Sequence, residues 1–170
     1  MKIHIIGCSG TGKTYLAKGL SKKHNIPHFD LDDIYWDNNS QRYGVKRDIE
    51  KRNELLGDIF AKRDWIIEGV YYSWVQESFE QADMIYVLDI PKYIYKNRII
   101  FRFIKRKLGI EKGKKETLKS LKELLKWTDT FRNNNLLEIE TILKKYENKV
   151  IWISQSQMVN RIITKDTLQQ

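Results

Sequence analysis

Ile3-His4-Ile5-Ile6-Gly7-Cys8-Ser9-Gly10-Thr11-Gly12-Lys13-Thr14-Tyr15-Leu16-Ala17-Lys18-Gly19-Leu20 decides how this chain is read. Ile3 to Ile6 is a short apolar run of β character, and Lys13 to Leu20 carries apolar residues at helical spacing. Between them, Gly7 to Thr14 satisfies G-x-x-x-x-G-K-[ST] in full. A glycine-rich turn between a strand and a helix lets successive backbone N–H groups converge on a phosphate, and the helix N-terminus adds partial positive charge. Gly7, Ser9, Gly10, Thr11 and Gly12 are therefore expected to cradle the phosphates of ATP. Lys13 is expected to reach the β- and γ-phosphates, and Thr14 to ligate Mg²⁺ through its hydroxyl. Cys8 is a candidate for a lowered thiol pKa beside a helix N-terminus, although such a residue more often fills a variable loop position.

Outward from this loop, short apolar runs recur at Trp65-Ile66-Ile67, at Met84 to Leu88 and at Val150 to Ile153, with a shorter one at Pro27-His28-Phe29. Helical stretches lie between them, around Asp48 to Lys62, Ile94 to Lys107, Glu116 to Trp127 and Leu136 to Tyr146. Strands that alternate with helices predict βαβ units and a parallel sheet covered on both faces. The softest segments are Asp37 to Gly44 and Leu108 to Lys115, both candidate mobile loops. The 170 residues fit one domain, 1–170, with no linker or internal repeat.

Acidic residues stand where such a sheet would place chemistry. Asp30-Leu31-Asp32-Asp33 follows the Pro27 to Phe29 run, at the carboxyl end of a strand. Asp30 and Asp32 fall on one side if the chain stays extended, and either is a candidate to orient or deprotonate an acceptor hydroxyl. Helix capping by Asp32 or Asp33 is the structural alternative. Glu68 and Asp89 each end a strand and are candidates for the second acid of a Mg²⁺ site, with Glu68 preferred and Asp89 more readily read as a cap for the helix after Pro91.

The formal charge of +9 is concentrated. From Lys96 to Lys126 there are twelve Lys/Arg against three Asp/Glu, and the remainder of the chain is balanced at nineteen of each. Nucleotide phosphates, nucleic acid and solvent are the candidate partners of such a segment. Arg98, Arg102 and Arg106 recur every four residues, so they share a helix face that suits phosphate oxygens. Leu108 to Gly113 interrupts this helix and a second basic helix follows, ending near Arg132. Segment 108–132 has the form of a helical lid that keeps water from a transferred phosphoryl group. Arg132 is counted among the nucleotide-binding residues, and Arg98 and Arg102 among the catalytic ones with Lys13, Asp30 and Asp32.

Hydrophobic residues make up 41% and charged residues 31%, and no apolar run is long enough to span a bilayer. No membrane partner is expected. A single cysteine excludes an intramolecular disulfide, and the N-terminal apolar run is too short for a signal-peptide core, so the expected location is cytoplasmic.

Taken together, Gly7 to Thr14, Asp30-Leu31-Asp32-Asp33, Trp65-Ile66-Ile67-Glu68-Gly69, Leu88-Asp89-Ile90-Pro91 and Arg98/Arg102 resemble the adenylate-kinase-like group of small P-loop kinases. Within it the chain looks most like the FlaR-like, or DNA topology modulation, proteins, through the aspartate cluster followed by Tyr35-Trp36 and the tryptophan-strand-Glu-Gly run. The resemblance implies a three-layer P-loop NTPase fold, a central five-stranded parallel sheet and a closing lid. Glu68 stands where adenylate kinases carry the aspartate of Asp-Gly-Phe-Pro-Arg, but Val70-Tyr71-Tyr72 follows in place of the rest of that motif. Asp30 and Asp32 resemble the Asp-x-Asp of shikimate-kinase-like enzymes, which favours a hydroxyl acceptor. The expected function is an ATP- and Mg²⁺-dependent kinase for a small molecule or nucleotide held near Asp30, Asp32, Tyr35, Trp36 and Tyr71. The alternative is an ATP-binding regulator of DNA topology that contacts nucleic acid through 96–126, for which a charge cluster alone supports only weak, non-specific binding.

Overall fold

A computed structural model describes residues 1–37, 44–111 and 117–164. The apolar runs become five strands: β1 (Lys2–Gly7), β2 (His28–Asp30), β3 (Trp65–Gly69), β4 (Met84–Leu88) and β5 (Val150–Ile153). They form one parallel sheet in the order β2-β3-β1-β4-β5. Seven helices join the strands in turn: α1 (Lys13–His24), α2 (Leu31–Tyr35), α3 (Ile49–Phe60), α4 (Gln76–Gln81), α5 (Lys92–Lys107), α6 (Leu118–Thr130) and α7 (Leu136–Leu143). A final helix, α8 (Ser156–Thr164), follows β5. This is the α/β architecture the alternation of runs predicts, and β2 proves to start one residue later and to extend to Asp30.

Local chemistry accounts for the boundaries. The left-handed Asn25 (φ 55°) ends α1, and the Asp48 side chain caps α3 by accepting from Glu50 N. Thr117 and Ser120 form a reciprocal capping box at the start of α6. That helix therefore begins at Leu118, two residues after the predicted start at Glu116, which lies outside the described residues together with 112–115. Residues 38–43 of the predicted Asp37 to Gly44 loop lie outside them as well.

The sheet is packed on both sides. On one, Ile3, Ile5, Ile66 and Leu88 meet Leu16, Ala17 and Leu20 of α1 and Val159 of α8. On the other, Ile6, Trp65, Ile67 and Val87 meet Leu56, Ile59 and Phe60 of α3, Phe79 of α4 and Phe131, Ile139 and Leu143. Central strands buried on both faces read as continuous apolar runs, which is why the sequence shows runs and not alternation. His4 is the exception in β1: it is fully buried, bonded through Nδ1 to the Ser78 hydroxyl, edge-on to Phe79, and burial depresses its pKa to about 3.

Helix α6 does not stop at the end of the expected lid. It continues through a π-helical turn, Phe131–Asn135, directly into α7. Thr128 and Phe131 are buried, so the last residues of 108–132 belong to the core. At the other end α5 closes at Lys107, and Gly109 takes a left-handed conformation (φ 71°) where the helix was expected to break.

Candidate active site

The strand order reverses beside β1: the chain leaves β1 through α1 for β2 at the sheet edge, and β3 then fills the place between them. Parallel sheets bind ligands at the carboxyl ends of strands at such a reversal. The glycine loop, Asp30 and Glu68 all stand there, at the ends of β1, β2 and β3.

The loop backbone is curled as phosphate binding requires. Gly10 and Gly12 have φ of 79° and 107°, a region open to glycine, and a Cβ on Gly10 would lie 2.7 Å from the Tyr95 carbonyl oxygen. The Thr11 hydroxyl donates to the Cys8 carbonyl at 2.8 Å, and Lys13 Nζ donates to the same oxygen at 3.0 Å. Lys13 therefore arches back over the loop, held by the Cys8 carbonyl. Ser9 is half-buried at the loop's turn. Cys8 differs from the reading as an activated thiol: it is buried against the core, and burial pushes its pKa up to about 11 against the opposing charge of Lys13.

Thr14 and Glu68 meet directly, the Thr14 hydroxyl donating to Glu68 Oε1 at 2.6 Å. His28 Nε2 lies 3.7 Å from the same carboxylate oxygen, outside hydrogen-bond reach but close enough to act through its field. Burial alone would raise the Glu68 pKa, and His28, Lys13 and the Thr14 hydroxyl together reverse that and lower it. The carboxylate is thus held ionised although the residue is only 2% exposed. Two hard oxygen donors beside a phosphate loop fit Mg²⁺, which keeps most of its ligands from phosphate and water.

Asp89, the alternative acid, does not cap α5 and is paired with an arginine. The N-cap of α5 is Pro91 without a side-chain bond, and Asp89 Oδ1 instead accepts from Arg132 Nη1 at 2.6 Å. Arg132 also donates to the Ile90 carbonyl. This expected nucleotide ligand is thereby pinned at the end of β4, against a small cavity shared with Cys8, Thr11 and Tyr95.

Capping in the aspartate trio also falls on a different residue than expected. Asp30 is the N-cap of α2, its Oδ1 accepting from Asp32 N at 2.9 Å, so the chain turns helical at Leu31 and the extended alternation of Asp30 with Asp32 does not arise. Asp32 accepts instead from the Tyr71 hydroxyl at 2.8 Å. Asp30 and Glu68 are register partners on adjacent strands. Burial first, and then the Glu68 charge, raise the Asp30 pKa to about 6, near the working range of a general base.

Around these acids Tyr35 stacks on Tyr71 (4.7 Å between centroids) and packs edge-on against Trp36. Two residues absent from the sequence reading complete the group: Trp74 beside Tyr71, and Arg52 of α3, whose guanidinium lies 4.3 Å over the Trp74 ring with Nε buried and unpartnered. Their signal was weak, since an arginine on an exposed helix and a tryptophan in a loop have no motif.

Of the three arginines, Arg98 reaches the loop. Its guanidinium donates to the carbonyls of Gly10 (3.4 Å) and Thr11 (3.1 Å) and to the Ser156 hydroxyl (3.0 Å). Arg102 is half-buried one turn further on, and Arg106 lies 3.6 Å from Glu111. Arg98 also walls a cavity of about 490 Å³, with Thr11, Gly12, Tyr15, Ser156 and Asn160. Helix α8 contributes the far side of this cavity and went unread, although Val159, Ile162 and Ile163 have helical spacing.

Known proteins bear out the architecture. The family model described as AAA domain matches residues 3–119. The Bacillus subtilis (strain 168) protein YqaC is 30% identical over 132 residues, covering 77% of this chain and 72% of that protein. A sugar kinase from Janibacter sp. HTCC2649 superposes with a TM-score of 0.51 at 17% identity, over 96% of this chain and 92% of that one. A gluconokinase from Sinorhizobium meliloti 1021 gives 0.52 at 16% identity (95% and 86% covered). A shikimate kinase from Bacteroides thetaiotaomicron gives 0.52 at 16% identity (96% and 94% covered). The structural likenesses carry the kinase-like P-loop fold, and the family match with its relative carries membership: this chain belongs to the AAA domain family of P-loop NTPases.

Proposed function

We propose that the protein is an ATP-dependent phosphotransferase whose acceptor carries a hydroxyl and binds between Asp30 and the Tyr35/Tyr71/Trp74/Arg52 group. The observation that carries this reading is the convergence of Thr14, Glu68 and Asp30 at the mouth of the glycine loop, with Thr14 and Glu68 in hydrogen-bond contact and Asp30 the neighbour of Glu68 in the sheet. A switch that only binds nucleotide has no need of a carboxylate poised for proton transfer. On the pattern of the aspartate trio and Glu68-Gly69, we place the chain with the FlaR-like kinases.

In this reading the backbone of Gly7 to Gly12 and the ammonium of Lys13 hold the β- and γ-phosphates. Thr14, through its hydroxyl, and Glu68, through its ionised carboxylate, would hold Mg²⁺, which would supply charge neutralisation at the phosphates. Asp30 orients the acceptor hydroxyl and takes its proton as the new bond to the γ-phosphorus forms and the bond from that phosphorus to the β–γ bridging oxygen breaks, releasing ADP. Asp32, tied to the Tyr71 hydroxyl, fixes the aromatic wall on which the acceptor rests. Arg98 spends its donors on the loop carbonyls and on Ser156, so it offers the flat guanidinium face to the large cavity, where the base of the nucleotide fits.

A screen for ADP release over nucleosides, nucleotides, sugars and hydroxy acids tests the proposal. One acceptor class should stimulate release in wild-type protein and not in Asp30→Asn. Stimulation by duplex DNA alone, with no small acceptor, would replace this reading with the regulatory one.

A further inference from the structure

Helix α5 has two faces in use and a third with no assigned role. Tyr95, Ile99 and Phe103 are buried in the body of the protein, and Arg98 braces the phosphate loop. The third face carries Tyr93, Asn97, Ile100, Phe101, Ile104 and Leu108. These positions fall within about 100° of one another around an α-helix. Five of the six are apolar, yet Tyr93, Phe101, Ile104 and Leu108 are 69%, 63%, 43% and 67% exposed. At about 1.5 Å per residue the stripe runs roughly 22 Å. Lys105 and Lys107, both exposed, flank it on opposite sides. A continuous exposed apolar stripe with a cationic border marks a surface that meets something.

We propose that this face docks on an anionic lipid bilayer, with α5 lying in the headgroup plane and the stripe turned inward. Charge selects the occupant, because α5 carries seven Lys and Arg residues and no Asp or Glu between Lys92 and Lys107. A second copy presenting the same face would set like charge against like. Duplex nucleic acid answers the charge but offers nothing to bury Phe101 and Leu108. An anionic bilayer answers both, and an apolar face combined with basic residues supplies the two signals that stable surface binding needs. Among the described residues no helix is long and apolar enough to cross a membrane, and an interfacial helix has no need to.

Co-sedimentation of the full chain with vesicles tests the proposal, using phosphatidylcholine alone and phosphatidylcholine with about a third phosphatidylglycerol. The chain should pellet with the second and stay in solution with the first. Phe101→Ser combined with Leu108→Ser should lower the partition at least about tenfold, and Lys105→Glu with Lys107→Glu should do the same. Phe101→Trp should retain binding and show a blue-shifted indole emission. A cooperative thermal transition in each variant shows that the fold is kept, independently of any nucleotide activity. Failure of the wild type to pellet with the anionic vesicles would overturn the proposal, as would a partition indifferent to the serine pair. A concentration-dependent dimer, or duplex DNA binding, that the serine pair abolishes while vesicle binding persists would assign the face to that partner instead.

Discussion

Asp30 lies directly across from Glu68, its register partner on the neighbouring strand, so two carboxylates share the carboxyl end of the sheet beside the phosphate loop. Their environments drive them apart. Glu68 is surrounded by Lys13, His28 and the Thr14 hydroxyl and is held ionised, whereas Asp30 has burial and Glu68 itself against it. In the proposed reaction the two acids would divide the labour, Glu68 holding a cation and Asp30 exchanging a proton.

The first prediction isolates that proton-exchanging role. Asparagine caps a helix about as well as aspartate, so Asp30→Asn keeps α2 while removing the charge. Turnover should fall by roughly 10²- to 10⁴-fold with ATP affinity within about twofold. Steady-state kinetics beside nucleotide titration separates the two, and full turnover in Asp30→Asn would reduce Asp30 to a cap.

Lys13→Ala should weaken ATP binding by about 10- to 100-fold or more, the loss expected for a charged donor to phosphate. Lys13 donates to the Cys8 carbonyl of its own loop and acts on Glu68 only through its charge, so the thermal transition should move little. Calorimetric titration with ATP is the measurement, and an affinity equal to wild type would defeat the phosphate-loop assignment.

His4 makes a prediction about stability. In the unfolded chain it takes up a proton near its ordinary 6.5, and in the folded chain only near 3. Between those values the unfolded state binds more protons, so stability should fall as pH is lowered from 6.5, by up to about 1.4 kcal/mol per pH unit. Below pH 3 both states are protonated and this contribution stops changing. His4→Asn, which keeps a partner for Ser78, should flatten the slope in urea midpoints measured from pH 7 down to 5. An unchanged slope would mean that other groups dominate acid unfolding.

What could be read from the sequence follows from how local each signal is. The strands Trp65–Gly69 and Met84–Leu88 were legible because burial on both faces leaves a nearly continuous apolar run, and the edge strand Val150–Ile153 kept such a run although Trp152 is 40% exposed. The Gly7 to Thr14 loop was legible because its backbone geometry needs glycines at fixed spacing. Thr14 and Glu68 could be assigned to one site because the first belongs to the loop motif at the start of α1 and the second stands near the end of β3. Where contact is set by tertiary packing, sequence spacing misleads: Asp89 stands two residues before Pro91 but turns to Arg132, 43 residues away. Likewise, that Asp30 and not Asp32 or Asp33 caps α2 depends on the helix starting directly where β2 ends. Arg52 and Trp74 meet only through the packing of α3 against the loop after β3, which no spacing records.

The last prediction concerns the segment 108–132. Its root is already fixed: Phe131 is 2% exposed, Arg132 pairs with Asp89, and Asp129 accepts from Lys96 at 2.8 Å and pairs with Lys92. Its outer part is not, since Leu118 is 61% exposed and Trp127 is 36% exposed. If the segment closes over bound nucleotide, a non-hydrolysable ATP analogue with Mg²⁺ should slow amide exchange strongly between Leu118 and Trp127. Little should change from Phe131 to Leu143, whose amides are protected from the outset by the core. Duplex DNA should bind weakly, and what binding there is should fall steeply with salt. A rigid hairpin would instead show the same exchange with and without the analogue across the whole of 118–143. A nucleic-acid surface would show protection of Leu118 to Trp127 by DNA and none by nucleotide. Hydrogen exchange with each ligand in turn thus distinguishes a hinged cover from both alternatives, because only a cover anchored at Phe131 predicts a protection boundary inside one continuous helix.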